Sequence, residues 1–339
     1  MNKFIPRYEF PNYNIPKTDF KGHQLKALKK YNSLRPQLNL ILELRDIRAP
    51  LSTRNVLIDQ LIDPRIHRRL VIYTKKDLVQ HNDDYLERLT RWHQEIDEDF
   101  ILINGKQRQT VKNVLKCIKW YKKQLESRNN GLPLPTGYKV LVTGMPNVGK
   151  STLINSLKAS RKKVARTGAE AGITRSTSEC IRITDEDNIY LIDTPGIGLP
   201  GRLHGATHRM LTLSLCGCVK SNLIDPVIQA DYLLYLMNLQ EGRFYPGAPT
   251  NDIYKLLNRI RISPTDKETS TAVKWLAQQR SGLIYDPEML LDNTTFSLRN
   301  YLDKQRDLLG DFQPATSPSS PYAKMLQNVN QLFPKPNNS

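Results

Sequence analysis

Gly144-Met-Pro-Asn-Val-Gly149-Lys150-Ser151 sets two glycines, a lysine and a hydroxyl at the spacing G-x-x-x-x-G-K-[ST]. Residues of these types in this order suit the holding of a polyphosphate. Backbone N–H groups at a helix start form a concave row of donors, and the helix dipole adds positive potential. Gly144 and Gly149 let the backbone approach and turn. Lys150 would neutralise the outer phosphates, Ser151 would complete the shell of a Mg²⁺ ion, and Asn147, Val148 and Thr152 lie in the same cradle. The flanks fit. Lys139–Thr143 is an apolar run that reads as a buried strand, and Thr152–Leu157 opens a helix.

Such a loop leaves adenine and guanine nucleotides undecided. Downstream, Asn188-Ile-Tyr-Leu-Ile-Asp193-Thr-Pro-Gly196 reads as a strand ending in D-x-x-G. The carboxylate of Asp193 can hold Mg²⁺ through water, and the N–H of Gly196 can meet the γ-phosphate. Between the two motifs, residues 168–177 form a polar loop in which Thr174 is the candidate switch threonine for Mg²⁺ and γ-phosphate.

A base-reading element is missing after Gly196 but is found upstream. Arg68–Tyr73 reads as a short buried strand followed at once by Thr74-Lys75-Lys76-Asp77. Guanine offers a ring N–H and an exocyclic amine on one edge, and a carboxylate accepts both, whereas adenine has no such donor pair. Asp77 would make that contact, Lys75 would lay its stem over the base plane, and Thr74 would supply a hydrogen-bonding side chain. A further strand, Asp99–Ile103, ends in Asn104-Gly105-Lys106, where a second base loop would fall.

The chain order is therefore base strand, second base loop, phosphate loop, switch threonine, D-x-x-G. This resembles the circularly permuted GTPases of the ribosome-biogenesis family, and within it the mitochondrial branch that matures the large ribosomal subunit. Asp46-Ile-Arg48-Ala-Pro50-Leu-Ser52-Thr-Arg54-Asn55 is similar to that family's D-A-R-x-P-x-S-x-R-N signature, with Ile47 in the Ala place. Phe20-Lys-Gly22-His23 resembles its aromatic-P-G-H segment, with Lys21 replacing Pro. The resemblance is strong over residues 18–200 and loose beyond.

The resemblance implies a doubly wound, mostly parallel P-loop GTPase domain followed by a smaller helical domain. It implies GTP hydrolysis, slow alone and stimulated by the large mitochondrial subunit and its rRNA. Ile197 stands where a water-orienting glutamine can follow the D-x-x-G glycine, so another group must act. His23 is that group by resemblance; as a residue alone it reads equally as a surface histidine on a basic helix. Asn147 resembles the asparagine through which related enzymes use K⁺.

Composition agrees with a polyanionic partner. The 339 residues carry 50 Lys and Arg against 33 Asp and Glu, a net charge of +17. Most of it lies in residues 1–138, with 26 basic and 15 acidic groups. Such a field suits RNA phosphates, and anionic lipid as well, so peripheral contact with the inner mitochondrial membrane stays open. In 110–126, Val111, Val114, Leu115, Ile118 and Leu125 form an apolar helical stripe while Lys112, Lys116, Lys119 and Lys123 line another face. No DNA partner and a monomeric chain are expected.

The punctuation of the chain predicts a flexible segment over 1–18 with three prolines, a permuted GTPase domain over 19–200, a helical RNA- or ribosome-contacting domain over 201–312 and a mobile tail over 313–339. Asn129–Gly137 reads as the linker that joins the ancestral chain ends. The four cysteines have neither disulfide nor zinc spacing, which suits a reducing compartment such as the mitochondrial matrix. The rival from another class is a nucleotide-binding scaffold or membrane-surface adaptor without productive hydrolysis.

Overall fold

Every side chain of Leu40–Asp46 is buried, including Glu43, Arg45 and Asp46. A strand with no exposed face must lie inside a sheet covered on both sides. In the computed structural model, which describes residues 4–16, 22–59, 62–63, 65–79, 83–159, 180–184, 187–199, 207–240, 245–279, 282–291 and 296–310, it does. This strand, β1, pairs in parallel with β2 (Arg68–Thr74) on one side and β4 (Tyr138–Gly144) on the other. Outside β2 lies β3 (Phe100–Leu102); beyond β4 lie β6 (Ile189–Asp193) and the antiparallel edge strand β5 (Cys180–Thr184).

The sheet order is β3-β2-β1-β4-β6-β5. Numbered from β4 instead, the order becomes 2-3-1-4-5-6, and it turns back at the strand that carries the phosphate loop. Such a switch point is where open α/β sheets bind ligands, outside the carboxyl ends of the strands. The segment 129–137 makes the join through turns with Gly131 and Gly137 at positive φ.

Helices α1 (Gly22–Leu34), α2 (Val56–Asp59), α3 (Asp83–Glu95), α4 (Arg108–Arg128) and α5 (Lys150–Ala159) accompany the strands. The remainder is helical: α6 (Thr207–Leu215), α7 (Pro226–Leu239), α8 (Ile253–Ile260), α9 (Glu268–Gln278) and α10 (Leu298–Gly310). In α7, Gln229–Met237 are all buried, so this helix is covered on every side and sits at the centre of the group. Pro226 at its first turn and the Asp225 carboxylate, which accepts from Val227 N at 2.7 Å, fix where it starts.

One hydrophobic cluster runs from Leu42, Val140 and Leu141 of the sheet into Leu211, Leu233 and Leu236 of these helices. A second joins Val71, Tyr73, Leu89 and Trp92 to Met289, Leu298 and Leu302. Polar contacts lock the same seam. Asp286 accepts from Leu51 N at 2.6 Å, Ser52 N at 3.1 Å and Ser52 Oγ at 2.5 Å. Arg209 donates to the carbonyls of Ser52 and Arg54.

The amino-terminal segment differs from its expected flexibility. Prolines do keep 4–16 out of a helix, yet the segment is tied down. Arg7 donates to the largely buried Asp231 at 2.7 Å, Phe10 meets Tyr232 edge-on at 5.0 Å, and Ile15 is buried. A terminal segment outside helix and sheet stays ordered when its side chains find such partners. The expected tail over 313–339 lies outside the described residues.

Candidate nucleotide site

The phosphate loop joins β4 to α5, and its geometry follows from close backbone approaches. Gly144 has φ 144°, and a Cβ there would strike the carbonyl of Leu44 on β1. Lys150 is only 8% exposed and donates from Nζ to the Met145 carbonyl at 2.7 Å and the Gly144 carbonyl at 3.4 Å. Burial lowers its pKa to about 8, against the small opposing pull of Cys218 and Asp193. Ser151 and Thr152, in the first turn of α5, are exposed. Asn147 takes φ 57° and donates from Nδ2 to the Gly217 carbonyl at 2.7 Å.

The D-x-x-G turn lies directly on that loop. Asp193 ends β6 in register with Val142, and Thr194 Oγ1 donates to the Val142 carbonyl at 2.5 Å. A Cβ on Gly196 would stand 2.7 Å from the Pro146 backbone and 2.9 Å from Lys150 Nζ, so only glycine fits there. Ile197 is fully buried; its N–H reaches the Gly144 carbonyl at 3.2 Å and its carbonyl accepts from Asn55 Nδ2 at 2.8 Å. Its apolar side chain is an anchor in the core.

Two loops from the amino-terminal half rest against the phosphate loop and α5. Thr74 Oγ1 donates to the Val148 carbonyl at 2.6 Å and to the Arg45 carbonyl at 3.2 Å. Lys75 is left-handed at φ 61°, and its ammonium meets Asp46 Oδ2 at 2.7 Å, which fixes the course of the stem expected over the base. Burial alone would raise the Asp46 carboxyl, but the hydrogen bonds and charge of Arg48, with Lys75, outweigh it and hold the pKa below normal. Asp77 follows in a short 3-10 turn (Lys76–Leu78) with its carboxylate exposed.

Asn104 caps its own turn, accepting on Oδ1 from Lys106 N at 3.0 Å. Lys76 N bonds to the Ile103 carbonyl at 3.2 Å, so the two base loops are joined to each other. Both rest on the phosphate side, since Ser156 Oγ of α5 donates to the Gly105 carbonyl at 2.9 Å.

Thr174 lies outside the described residues. His23 stands in the first turn of α1, and its side chain is likewise not described. The same helix does reach the site, because Tyr31, fully buried, donates to the Pro195 carbonyl at 3.0 Å. Sequence reasoning missed Tyr31, Gly217 and the Asp46–Lys75 pair. The signature around Asp46 and Asn55 was the available signal for the last; nothing local marks Tyr31 or Gly217.

The residues present fit a magnesium–guanine nucleotide: glycines at 144 and 196 where a Cβ would strike neighbouring backbone, a buried lysine that meets loop carbonyls among the described residues, an exposed serine hydroxyl, a strand-end carboxylate and an exposed aspartate on the bonded base loop. Fold and site together define a circularly permuted P-loop GTPase.

Residues 139–271 match the family described as 50S ribosome-binding GTPase. Mitochondrial GTPase 1 of Saccharomyces cerevisiae is 51% identical, over 98% of this chain and 96% of that protein. Mitochondrial ribosome-associated GTPase 1 of Xenopus tropicalis is 34% identical, over 72% of this chain and 78% of its own length. The chain belongs to the mitochondrial GTPase 1 family, and it is a GTPase. Among solved structures, GDP-bound TM YlqF is similar at 17% identity with a TM-score of 0.45, covering 76% of this chain and 98% of that one.

Proposed function

We propose that this chain binds the large subunit of the mitochondrial ribosome in the matrix, promotes its maturation, and uses GTP hydrolysis to time its association and release. The names of its yeast and frog relatives support mitochondrial, ribosome-linked work. The observation that carries the nucleotide part is the bond from Thr74 to Val148, which brings the base-reading loop against the phosphate loop.

In this reading Asp77 accepts both guanine donors, with Lys75 and Thr74 shaping that side and Asn104 near the base. Lys150 and the N–H groups of Gly144–Thr152 neutralise and orient the phosphates. Ser151, Asp193 and Thr174 would hold Mg²⁺, which when bound would neutralise phosphate charge. Asn147, whose amide nitrogen is engaged by Gly217, offers its Oδ1 to K⁺. Water attacks in line while the preorganised positive charge stabilises the transferring phosphoryl group. Ile197 is buried and offers that water nothing; by resemblance to the family, His23 takes the orienting role.

The γ-phosphate orders the Thr174 loop and Asp193–Gly198; hydrolysis releases them and lowers affinity for the particle. The helical portion from α6 to α10 serves as a ribosome-contacting unit. Membrane attachment would be peripheral: no helix among the described residues is long and apolar enough to cross a bilayer.

Multiple-turnover phosphate release with purified large mitochondrial subunits tests the proposal. Stimulation by the particle, lost in His23→Ala with GTP affinity kept, is the expected result. A rate that stays flat when subunits are added defeats it and favours the scaffold or adaptor.

A further inference from the structure

Helix α4 carries a stripe of cations that the nucleotide site does not use. At 100° per residue, Arg108, Lys112, Lys116, Lys119 and Lys123 fall within about 80° of one another around the helix axis. All are exposed. From first to last they span roughly 22 Å along the axis, and steps of four residues advance about 6 Å, comparable to the spacing of successive phosphates on an extended strand. Trp120 stands beside the stripe, 55% exposed, its ring set edge-to-face on Tyr121 with centroids 4.9 Å apart.

Little acid opposes this charge. Glu126, the only carboxylate in the helix, pairs with Lys122 off the stripe at 2.8 Å. Asp187 meets Lys119 at 2.6 Å. Among the described residues, Arg108, Lys112, Lys116 and Lys123 have no carboxylate partner. The opposite face (Val111, Val114, Ile118 and Tyr121) is buried in the main hydrophobic core. An amphipathic helix holds a membrane by inserting such a face, and here it is already spent on the core.

We infer that this stripe docks single-stranded or loop RNA, with phosphates along the cations and one base stacked on Trp120. The inference rests on the ribosomal reading and deepens it by naming a surface on the GTPase half of the chain. Charge complementarity argues for the polyanion, and an exposed indole beside a basic track is how sequence-tolerant stacking platforms are built. The stripe begins where the Asn104–Gln107 turn ends, so RNA seated there adjoins the second base loop.

The test is fluorescence-anisotropy binding of the full chain to a labelled uridine oligonucleotide over a salt series. Alongside it runs sedimentation with phosphatidylcholine vesicles containing phosphatidylserine. Each lost phosphate contact flattens the log–log salt slope by about 0.7 for a single strand, so K112Q/K116Q/K123Q should flatten it by about 2. Trp120→Ala should weaken binding about tenfold with the slope unchanged. Of the three tryptophans, Trp92 and Trp275 are buried, so quenching of intrinsic fluorescence by the oligonucleotide should vanish in Trp120→Ala.

Unchanged melting temperature and GTP affinity in the stripe variants exclude misfolding. Lys150→Ala should lose GTP but keep the oligonucleotide, which separates failure of the nucleotide site from failure of the stripe. An unaltered slope in the triple variant, or no oligonucleotide binding by the wild type, overturns the inference. So does a triple variant that loses only the vesicles, which would assign the stripe to lipid.

Discussion

Thr74 Oγ1 and the carbonyl of Val148 meet at 2.6 Å although 74 positions separate them in the chain. One hydroxyl thus joins the end of β2 to the phosphate loop, and it is buried. Thr74→Val keeps the shape and removes the donor. Leaving a buried carbonyl short of its partner costs about 1–3 kcal/mol. Urea denaturation should show that loss, accompanied by weaker GTP binding, because the loop is no longer held in register with the base side. A variant as stable and as tight-binding as wild type would falsify the stitching role.

Lys150 links nucleotide binding to protons. In the free protein, burial brings its pKa down to about 8. Phosphate anions beside the ammonium favour its charged form and raise that value in the complex. The sign follows: affinity is full below about 8 and falls as pH rises through that value toward the bound pKa, by at most about tenfold per unit. Calorimetry near pH 8 in buffers of differing ionisation heat should report proton uptake on GTP binding. Proton release, or none, would contradict the placement of Lys150 against the phosphates.

Asp77→Asn should exchange base preference. The amide presents a donor where the carboxylate presented two acceptors, so GTP affinity should fall about tenfold or more through loss of charge-assisted bonds. A purine triphosphate with a carbonyl in place of the exocyclic amine should gain. Competition against labelled GDP measures both. Equal GTP affinity in the variant, or displacement by ATP as effective as by GTP in the wild type, would remove Asp77 from the base site.

Gly196→Ala should leave the chain folded but impair the switch. Its Cβ would meet the Pro146 backbone at 2.7 Å and Lys150 Nζ at 2.9 Å, and the backbone contact cannot be relieved by a rotamer change. Hydrolysis should drop by at least tenfold, since about 1.4 kcal/mol of displaced geometry suffices, while the urea midpoint shifts little. Wild-type turnover in this variant would mean that the two loops do not act in contact.

Short-range chemistry was legible from the residues. The glycines and lysine of 144–151, the strand runs 68–73 and 139–143, and the helical spacing in 110–126 depend on neighbours a few positions apart, so pattern alone locates them. The out-of-order motifs even implied the permuted sheet, because each loop chemistry belongs at a strand's carboxyl end. Long-range partners were not legible. The ordering of 4–16 needed Asp231, the loop after β1 needed Asp286, and the D-x-x-G turn needed Tyr31 and Asn55. Those contacts depend on which surfaces meet once the sheet and helices pack, and a buried polar group takes whatever partner packing supplies. Local pattern named the candidate groups; only the tertiary fold decided what packs against them and holds them in place.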